Sequence, residues 1–322
     1  MRVLRRSLVV LVCAAVGLWI HNGGLDSLAE LSRLFYGTPH ARYAARLRLG
    51  SIPDAHVWLD AADRALRQPR TVRLPGRVQV ENKNSPLANG YSVSLRRGQR
   101  YVVEAATDQP DEVFIDVFRK VDDEFERLAS AGKGESVVTI DIPSDCEYVV
   151  RAQATLEARS GMLLTFHSEP TLGLPVQGAQ SKSIQSFFGA VRDGGRRSHH
   201  GVDIFAQRGT AVTAAADGFV ISVGTNTLGG NVVWIARVGH RERHYYAHLD
   251  QQLVSVGSWV RRGDVIGTVG NTGNARTTAP HLHFGIYGEE GPVDPLPYIR
   301  VDVSSATGRA YTLPRGEYET SS

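Results

Sequence analysis

Apolar and polar positions change period three times along the chain. Between residues 25 and 70 the period is helical. Tyr43, Ala44 and Leu47 form one apolar stripe, and Trp58, Ala62, Ala65 and Leu66 form a second, at the i, i+3, i+4 spacing that places side chains on one helix face. Gly50 and Pro53 fall between them as a turn. The pattern predicts a short helical region whose stripes pack on another part of the molecule.

From 71 to 168 the pattern becomes short alternating or β-branched runs: Tyr91–Leu95, Tyr101–Ala105, Val113–Phe118, Ser136–Ile142 and Glu147–Ala152. Turn-like breaks at 96–98, 107–111, 119–124 and 131–135 separate them. Short strands at this spacing predict a β-sandwich. Residues 169–185, with Pro170, Pro175 and two early glycines, read as a linker. Beyond it, Val202–Phe205 and His281–Ile286 again alternate in part, as half-buried strands do. The polar stretch 301–322 reads as a frayed tail. The fold class predicted is mainly β, with a short helical region ahead of a β-sandwich and a second β domain from 186 to 300.

The first 24 residues differ from the rest. Arg2, Arg5 and Arg6 precede an apolar run from Leu8 to Ile20. A basic segment followed by an apolar core of that length marks a signal peptide, and the run is short of the roughly 20 residues a full span requires. Ala15-Val16-Gly17 permits cleavage but lies inside the run, so a membrane anchor through residues 8–20 stays open beside a cleaved leader. Either way the bulk of the chain is expected outside the cytoplasm.

Composition narrows the function classes. Hydrophobic residues are 42% and charged residues 21% of the chain, with a net charge of +3. That suffices for ordinary cores and is too mild for a nucleic-acid-binding protein. The two cysteines, Cys13 and Cys146, predict no intrachain disulfide, and Cys146 reads as a small buried apolar residue. Asp108, Asp111 and Glu112 cluster at one turn without the oxygen-ligand spacing of a calcium loop, so no calcium is expected.

The candidate chemistry lies between Ser198 and Phe284. Seven of the eleven histidines (199, 200, 240, 244, 248, 281 and 283) fall there, in three clusters: His199-His200-Gly201-Val202-Asp203, Tyr246-Ala247-His248 and His281-Leu282-His283. Imidazole with carboxylate is a ligand set that suits zinc. On a strand, residues two or four apart share a face. His199 with Asp203, and His281 with His283, satisfy that parity; His200 does not. A site built from these strands would bring His199, Asp203 and one or both of His281 and His283 to one point. Catalytic zinc takes three protein ligands and leaves a fourth position open, which frees His248 and one member of the His-x-His pair for proton transfer. Tyr246 shares strand parity with His248 and reads either as an oxyanion donor or as an aromatic packing residue.

With these motifs the stretch from Phe188 to Ile299 resembles the lysostaphin-type (LytM-like) zinc endopeptidases of bacterial cell walls. The resemblance runs in order through Phe188-Gly189, His199–Ile204, Gly209–Val212, Ala215–Gly218, Gly229–Asn231, Tyr246–Leu249, Gly263-Asp264, Gly270–Gly273 and Pro280–Phe284, about a third of the chain. It implies a mostly antiparallel β peptidase domain with an open groove. It also implies one zinc ion per chain held by His199, Asp203 and His283, with His248 and His281 as catalytic histidines and peptidoglycan peptides as substrate. Two positions depart from the family pattern: the loop Asn274–Ala279 is long, and Gly285 stands where an acidic or amide side chain is common. Both bear on which peptide is cut. A non-catalytic relative that regulates another wall hydrolase is the competing class; such relatives lack some of these five residues, whereas all five are present. Residues 257–267 also resemble lipoyl and biotinyl carrier hairpins, but those need a lysine at the tip, and this chain has none after Lys182. The 71–168 segment resembles, more weakly, the pre-peptidase C-terminal β-sandwich modules of secreted proteases.

Overall fold

The protein is described from a computed structural model, which covers residues 32–50, 52–81 and 88–300. The leader and tail expectations fall outside the described residues. Among the described residues no helix is long and apolar enough to cross a membrane.

Among the described residues a helical stretch at 32–36 is followed by two helices. In α1 (Pro39–Leu49), Thr38 caps the start by accepting from the Ala41 N–H at 3.3 Å, and Pro39 occupies the first helical position, where its missing N–H costs nothing. α2 (Ala55–Arg67) buries Trp58, Ala61, Ala62 and Ala65 along one face; Leu66 is only half-buried. Together the helices cover the outer face of a sheet. Trp58, Tyr43, Leu47 and Phe114 form a small apolar cluster there. The Trp58 indole N–H donates to the Ala154 carbonyl at 2.7 Å, and the Gln153 amide donates to the Trp58 carbonyl at 2.9 Å.

The sandwich has nine strands: β1 (Arg70–Thr71), β2 (Gly76–Val80), β3 (Asn89–Leu95), β4 (Gln99–Ala106), β5 (Val113–Val121), β6 (Glu124–Ser130), β7 (Val137–Asp141), β8 (Cys146–Ala154) and β9 (Met162–Pro170). They form a five-stranded sheet, β1-β3-β8-β5-β6, facing a four-stranded sheet, β2-β9-β4-β7. Alternate residues such as Tyr101, Val103, Val117, Tyr148, Val150, Leu164 and Phe166 point into the shared core. Alternation fails along β8, which is buried almost throughout, because α1 and α2 cover its other face. Cys146 is half-buried with a free thiol, not fully buried as its composition suggested.

The second domain is built on β10 (Ile184–Ser186), β11 (Val191–Arg192), β12 (Arg197–Ser198), β13 (Val202–Phe205), β14 (Ala211–Thr213), β15 (Gly218–Asn226), β16 (Gly230–Arg237), β17 (Arg243–Gln252), β18 (Trp259–Val260), β19 (Val265–Val269), β20 (His281–Gly288) and β21 (Gly291–Val293), closed by α3 (Leu296–Ile299). Ten of these strands form one antiparallel sheet with the central order β10-β13-β20-β17-β16-β15-β18, and β11 pairs β12 in a separate hairpin.

Residues 169–185 are not a free linker. Leu172 and Val176 are buried in the core of the second domain, the Gly173 N–H donates to Ala215 O at 2.8 Å, and Gln177 N–H to Ala211 O at 3.0 Å. Apolar residues scattered among prolines and glycines gave no period to read, yet each fills a pocket. The two domains are also in direct contact. Gly98, in the β3–β4 turn, lies so close to the Tyr298 ring that a Cβ there would sit 2.2 Å from it. Arg96 pairs with Asp294 at 3.0 Å. Glu242, nearly buried, accepts from Tyr298 Oη at 2.9 Å and from Arg237 at 2.9 Å, and lies 3.4 Å from Arg97.

Candidate metal centre

The site grows from strand register. β13 and β20 are antiparallel with Asp203 directly opposite His283 and Phe205 opposite His281. Directly paired residues have Cβ atoms about 4.5–5.5 Å apart on the same face, so this pairing alone delivers a carboxylate and an imidazole to one point. His199 precedes β13. Its N–H donates to Ala190 O at 2.9 Å and its carbonyl accepts from the Gly189 N–H at 2.8 Å, which pins it to the base of the β11–β12 hairpin. Gly201 makes the turn between them possible: a Cβ there would meet Phe284 O at 2.4 Å and the His283 ring at 2.8 Å.

Three ligating atoms converge. His199 Nε2 is 3.0 Å from Asp203 Oδ1, His283 Nδ1 is 3.0 Å from the same oxygen, and the two nitrogens are 2.9 Å apart. Among the described residues these three side chains are the group able to hold a metal ion. Four-coordinate zinc, bound at about 2.0–2.2 Å, holds its ligands roughly 3.4 Å from each other; opening this cluster by a few tenths of an ångström suffices. The other end of each buried ligand is tied down. His199 Nδ1 donates to Phe187 O at 2.9 Å, which directs Nε2 inward. Asp203 Oδ2 accepts from the Arg192 guanidinium at 2.8 Å. Such outer contacts fix tautomer and orientation. The residues fit zinc: two neutral imidazoles and one carboxylate.

Electrostatics act on Asp203 and His283. Burial alone would raise the Asp203 carboxyl, but its close contacts with the His199 and His283 rings outweigh it and hold the group well below the usual carboxylate range. Burial holds His283 below its ordinary value, against the pull of Asp203.

His248 and His281 flank this centre, with ring centroids 5.0 Å apart. Both are buried. His281 Nδ1 donates to Ala279 O at 2.8 Å and its Nε2 lies 4.0 Å from Asp203 Oδ1. His248 Nδ1 donates to Thr272 O at 2.9 Å. A carbonyl only accepts, so Nδ1 carries a proton in each, and in the neutral ring the lone pair lies at Nε2. Burial, reinforced by the neighbouring His283 and His281, lowers His248 to about 4.

The strand parity drawn from sequence breaks at His248. Its φ is +63°, and the β16–β17 register slips between Asn231 and Val233. This bulge turns His248 onto the face that strict alternation assigns to Tyr245. Tyr246 is therefore in the core, fully buried, its hydroxyl accepting from the Ala215 N–H at 2.9 Å; of its two sequence readings, packing is the one realised. Tyr245 takes the groove position instead, its ring 5.9 Å from that of His283. His200 is exposed at the rim.

The groove has a cavity of about 900 Å³. Its lining includes all five candidate residues, an aromatic wall of Trp234, Tyr245 and Tyr287, and Arg192, Arg196 and Arg197 from the β11–β12 hairpin. Asn274, Ala275 and Thr278 of the long loop also line it. At Gly285 a side chain would press on His200 O at 2.9 Å and the Tyr287 ring at 3.0 Å, so the glycine leaves the floor open beside the aromatics. Sequence reading missed Arg192, Tyr245 and Trp234; only the arginine-rich run 192–197 carried a signal. Every described lining residue lies at or beyond Ser186: the sandwich contributes none.

Residues 197–295 match the model of peptidase family M23, and this part of the chain is an M23 domain of the lysostaphin type. The glycyl-glycine endopeptidase ALE-1 of Staphylococcus capitis is 38% identical over 108 residues, 32% of this chain and 29% of the relative. The L-Ala–D-Glu endopeptidase of Bacillus subtilis (strain 168) is 39% identical over 134 residues, 37% of this chain and 40% of the relative. The solved catalytic domain of lysostaphin from Staphylococcus simulans is 34% identical, with a TM-score of 0.33, over 35% of this chain and 89% of that one. The alignments thus span less than half the length of these two curated relatives.

Proposed function

We propose that the chain is a zinc-dependent endopeptidase that hydrolyses peptide bonds in peptidoglycan, outside the cytoplasm. The observation that carries this is the convergence of His199 Nε2, Asp203 Oδ1 and His283 Nδ1 within 3.0 Å, with two further buried histidines, each presenting a lone pair, beside them. A further relative, 42% identical over 88 residues, is named peptidoglycan DD-endopeptidase ShyC of Vibrio cholerae, which supports peptidoglycan as the substrate, and the apolar run at 8–20 that follows three arginines supports export.

His199, Asp203 and His283 would hold the zinc, which when bound supplies Lewis acidity that lowers the pKa of water and polarises a carbonyl. The protein's own residues do the rest. His248 and His281 are held by carbonyls at Nδ1, so each can take a proton at Nε2 and return it to the leaving amine. Once protonated, the same Nε2–H can donate to a developing oxyanion. The aromatic wall and the hairpin border the groove in which an extended peptide can lie. The two relatives' names give two different bonds, so homology leaves the scissile bond to the groove walls.

Purified zinc-loaded full chain incubated with isolated peptidoglycan is expected to release new amino groups, and H281A is expected to keep its zinc and lose the release. A zinc-loaded chain that releases none would make it a non-catalytic groove binder.

A further inference from the structure

We infer that the β11–β12 hairpin carries an anion subsite, formed by Arg196 and Arg197, that selects peptides bearing a free carboxylate close to the scissile bond. The inference rests on the proposed peptide substrate and narrows its class.

Residues 191–198 read Val-Arg-Asp-Gly-Gly-Arg-Arg-Ser, three arginines against one aspartate. All three arginines line the groove beside the metal centre. Arg192 and Arg197 are directly opposite each other in the hairpin, and like charges in that relation are destabilising. Arg192 is engaged: it donates to Ser186 Oγ and to Asp203 Oδ2. Arg196 and Arg197 are exposed at the groove edge. Both make contacts of their own, but a guanidinium has five N–H donors, and the case rests on the sign of the local field.

That field has little to oppose it. Among the described lining residues Asp203 is the one carboxylate, and it faces the ligand imidazoles and Arg192. The remaining walls are aromatic, aliphatic, amide, hydroxyl or histidine. A bound divalent ion makes the groove more positive still. A guanidinium pairs with a carboxylate through two parallel N–H···O bonds, and a positive cleft raises the local concentration of anionic ligands. A peptide made only of glycine offers this wall nothing within its chain. A cell-wall stem peptide with free carboxylates does.

The test is binding of two synthetic peptides to the zinc-loaded full chain carrying H281A to prevent turnover. One is a peptidoglycan stem peptide; the other is the same peptide with every carboxylate converted to carboxamide. Calorimetry is expected to give the free-carboxylate form at least about tenfold tighter binding in low salt, shrinking as salt screens the contact. In R196Q/R197Q the ratio is expected to fall to within about twofold, with zinc affinity and binding of the amidated peptide unchanged. Equal binding of the two peptides, no binding of either, or a preference that survives in R196Q/R197Q would overturn the inference. Turnover of peptidoglycan by the wild-type chain is measured separately. A chain that cuts it while binding both peptides alike retains the proposed function and loses this subsite; one that discriminates but does not cut retains the subsite alone.

Discussion

The guanidinium of Arg192 donates to Asp203 Oδ2 at 2.8 Å while Oδ1 of the same carboxylate faces two imidazole nitrogens at 3.0 Å. One oxygen is thereby held by the hairpin and the other is left for a metal. Removing such an outer contact typically costs 10–100-fold in metal affinity. R192M is therefore expected to bind zinc at least about tenfold more weakly in a chelator competition while unfolding at an unchanged urea midpoint. R192K, which keeps a donor, is expected to fall between.

His248 combines an unusual backbone with a candidate proton carrier. At φ +63° a side chain other than glycine, asparagine or aspartate pays roughly 1 kcal/mol. H248N suits that backbone and lacks the imidazole. It is expected to keep zinc and stability while activity drops by about 10²-fold or more. H248A is expected to lose the activity and, in addition, about 1 kcal/mol of stability relative to H248N, read by denaturant unfolding.

Mutation tests the packing role of Tyr246. Y246F removes the acceptor for the buried Ala215 N–H and is expected to cost about 1–2 kcal/mol of stability with kcat/KM within about twofold of wild type. A loss of kcat at unchanged stability would place the Tyr246 hydroxyl in the chemistry instead.

Acid stability follows from two buried histidines that are not among the five candidate site residues. Burial, with the Arg151 charge, lowers His40 to about 4, and burial lowers His244 to about 4. Unfolded histidine titrates near 6.5. Above that pH both states are neutral and the folded state keeps its full advantage. As pH falls from 6.5 toward 4 the unfolded chain takes the proton first, so stability declines, by about 2 kcal/mol per histidine at pH 5. Among the described residues neither ring nitrogen of His244 has a hydrogen-bond partner, and the ring meets Phe284 edge-on at 5.7 Å. H244F is expected to be more stable than wild type at pH 7.5 by about 1–2 kcal/mol and to show a shallower loss between pH 7.5 and 5 in urea titrations. An unchanged slope would mean that His244 is not buried neutral.

Part of this site was legible in the sequence, because the spacing of Asp203, His281 and His283 survives on directly paired strands; His199 reaches them from the turn ahead of β13, where strand parity does not apply. Short alternating or β-branched runs also marked β3, β4, β5, β7 and β8. Strict period-2 burial fails where a second layer covers both faces, as along β8, and where a strand departs from regularity. The positive φ at His248 and the adjacent bulge reverse parity for the residues beyond them, and no residue type near Tyr246 announces the reversal. β6, at Glu124–Ser130, was partly hidden because its charged residues lie on a solvated face. The 169–185 segment looked like a linker because Leu172 and Val176 dock singly, without a period, into a core that other strands build. Arg192 was invisible as an outer contact because its role depends on a hairpin folding back over the carboxylate.

The most direct test of the metal centre is zinc K-edge X-ray absorption on the zinc-loaded full chain. The account predicts one zinc per chain with two imidazole nitrogens and a carboxylate oxygen at about 2.0–2.2 Å, and loss of one imidazole from that shell in H283A but not in H248A. A chain that retains no zinc, or a shell unaltered in H283A, would contradict it.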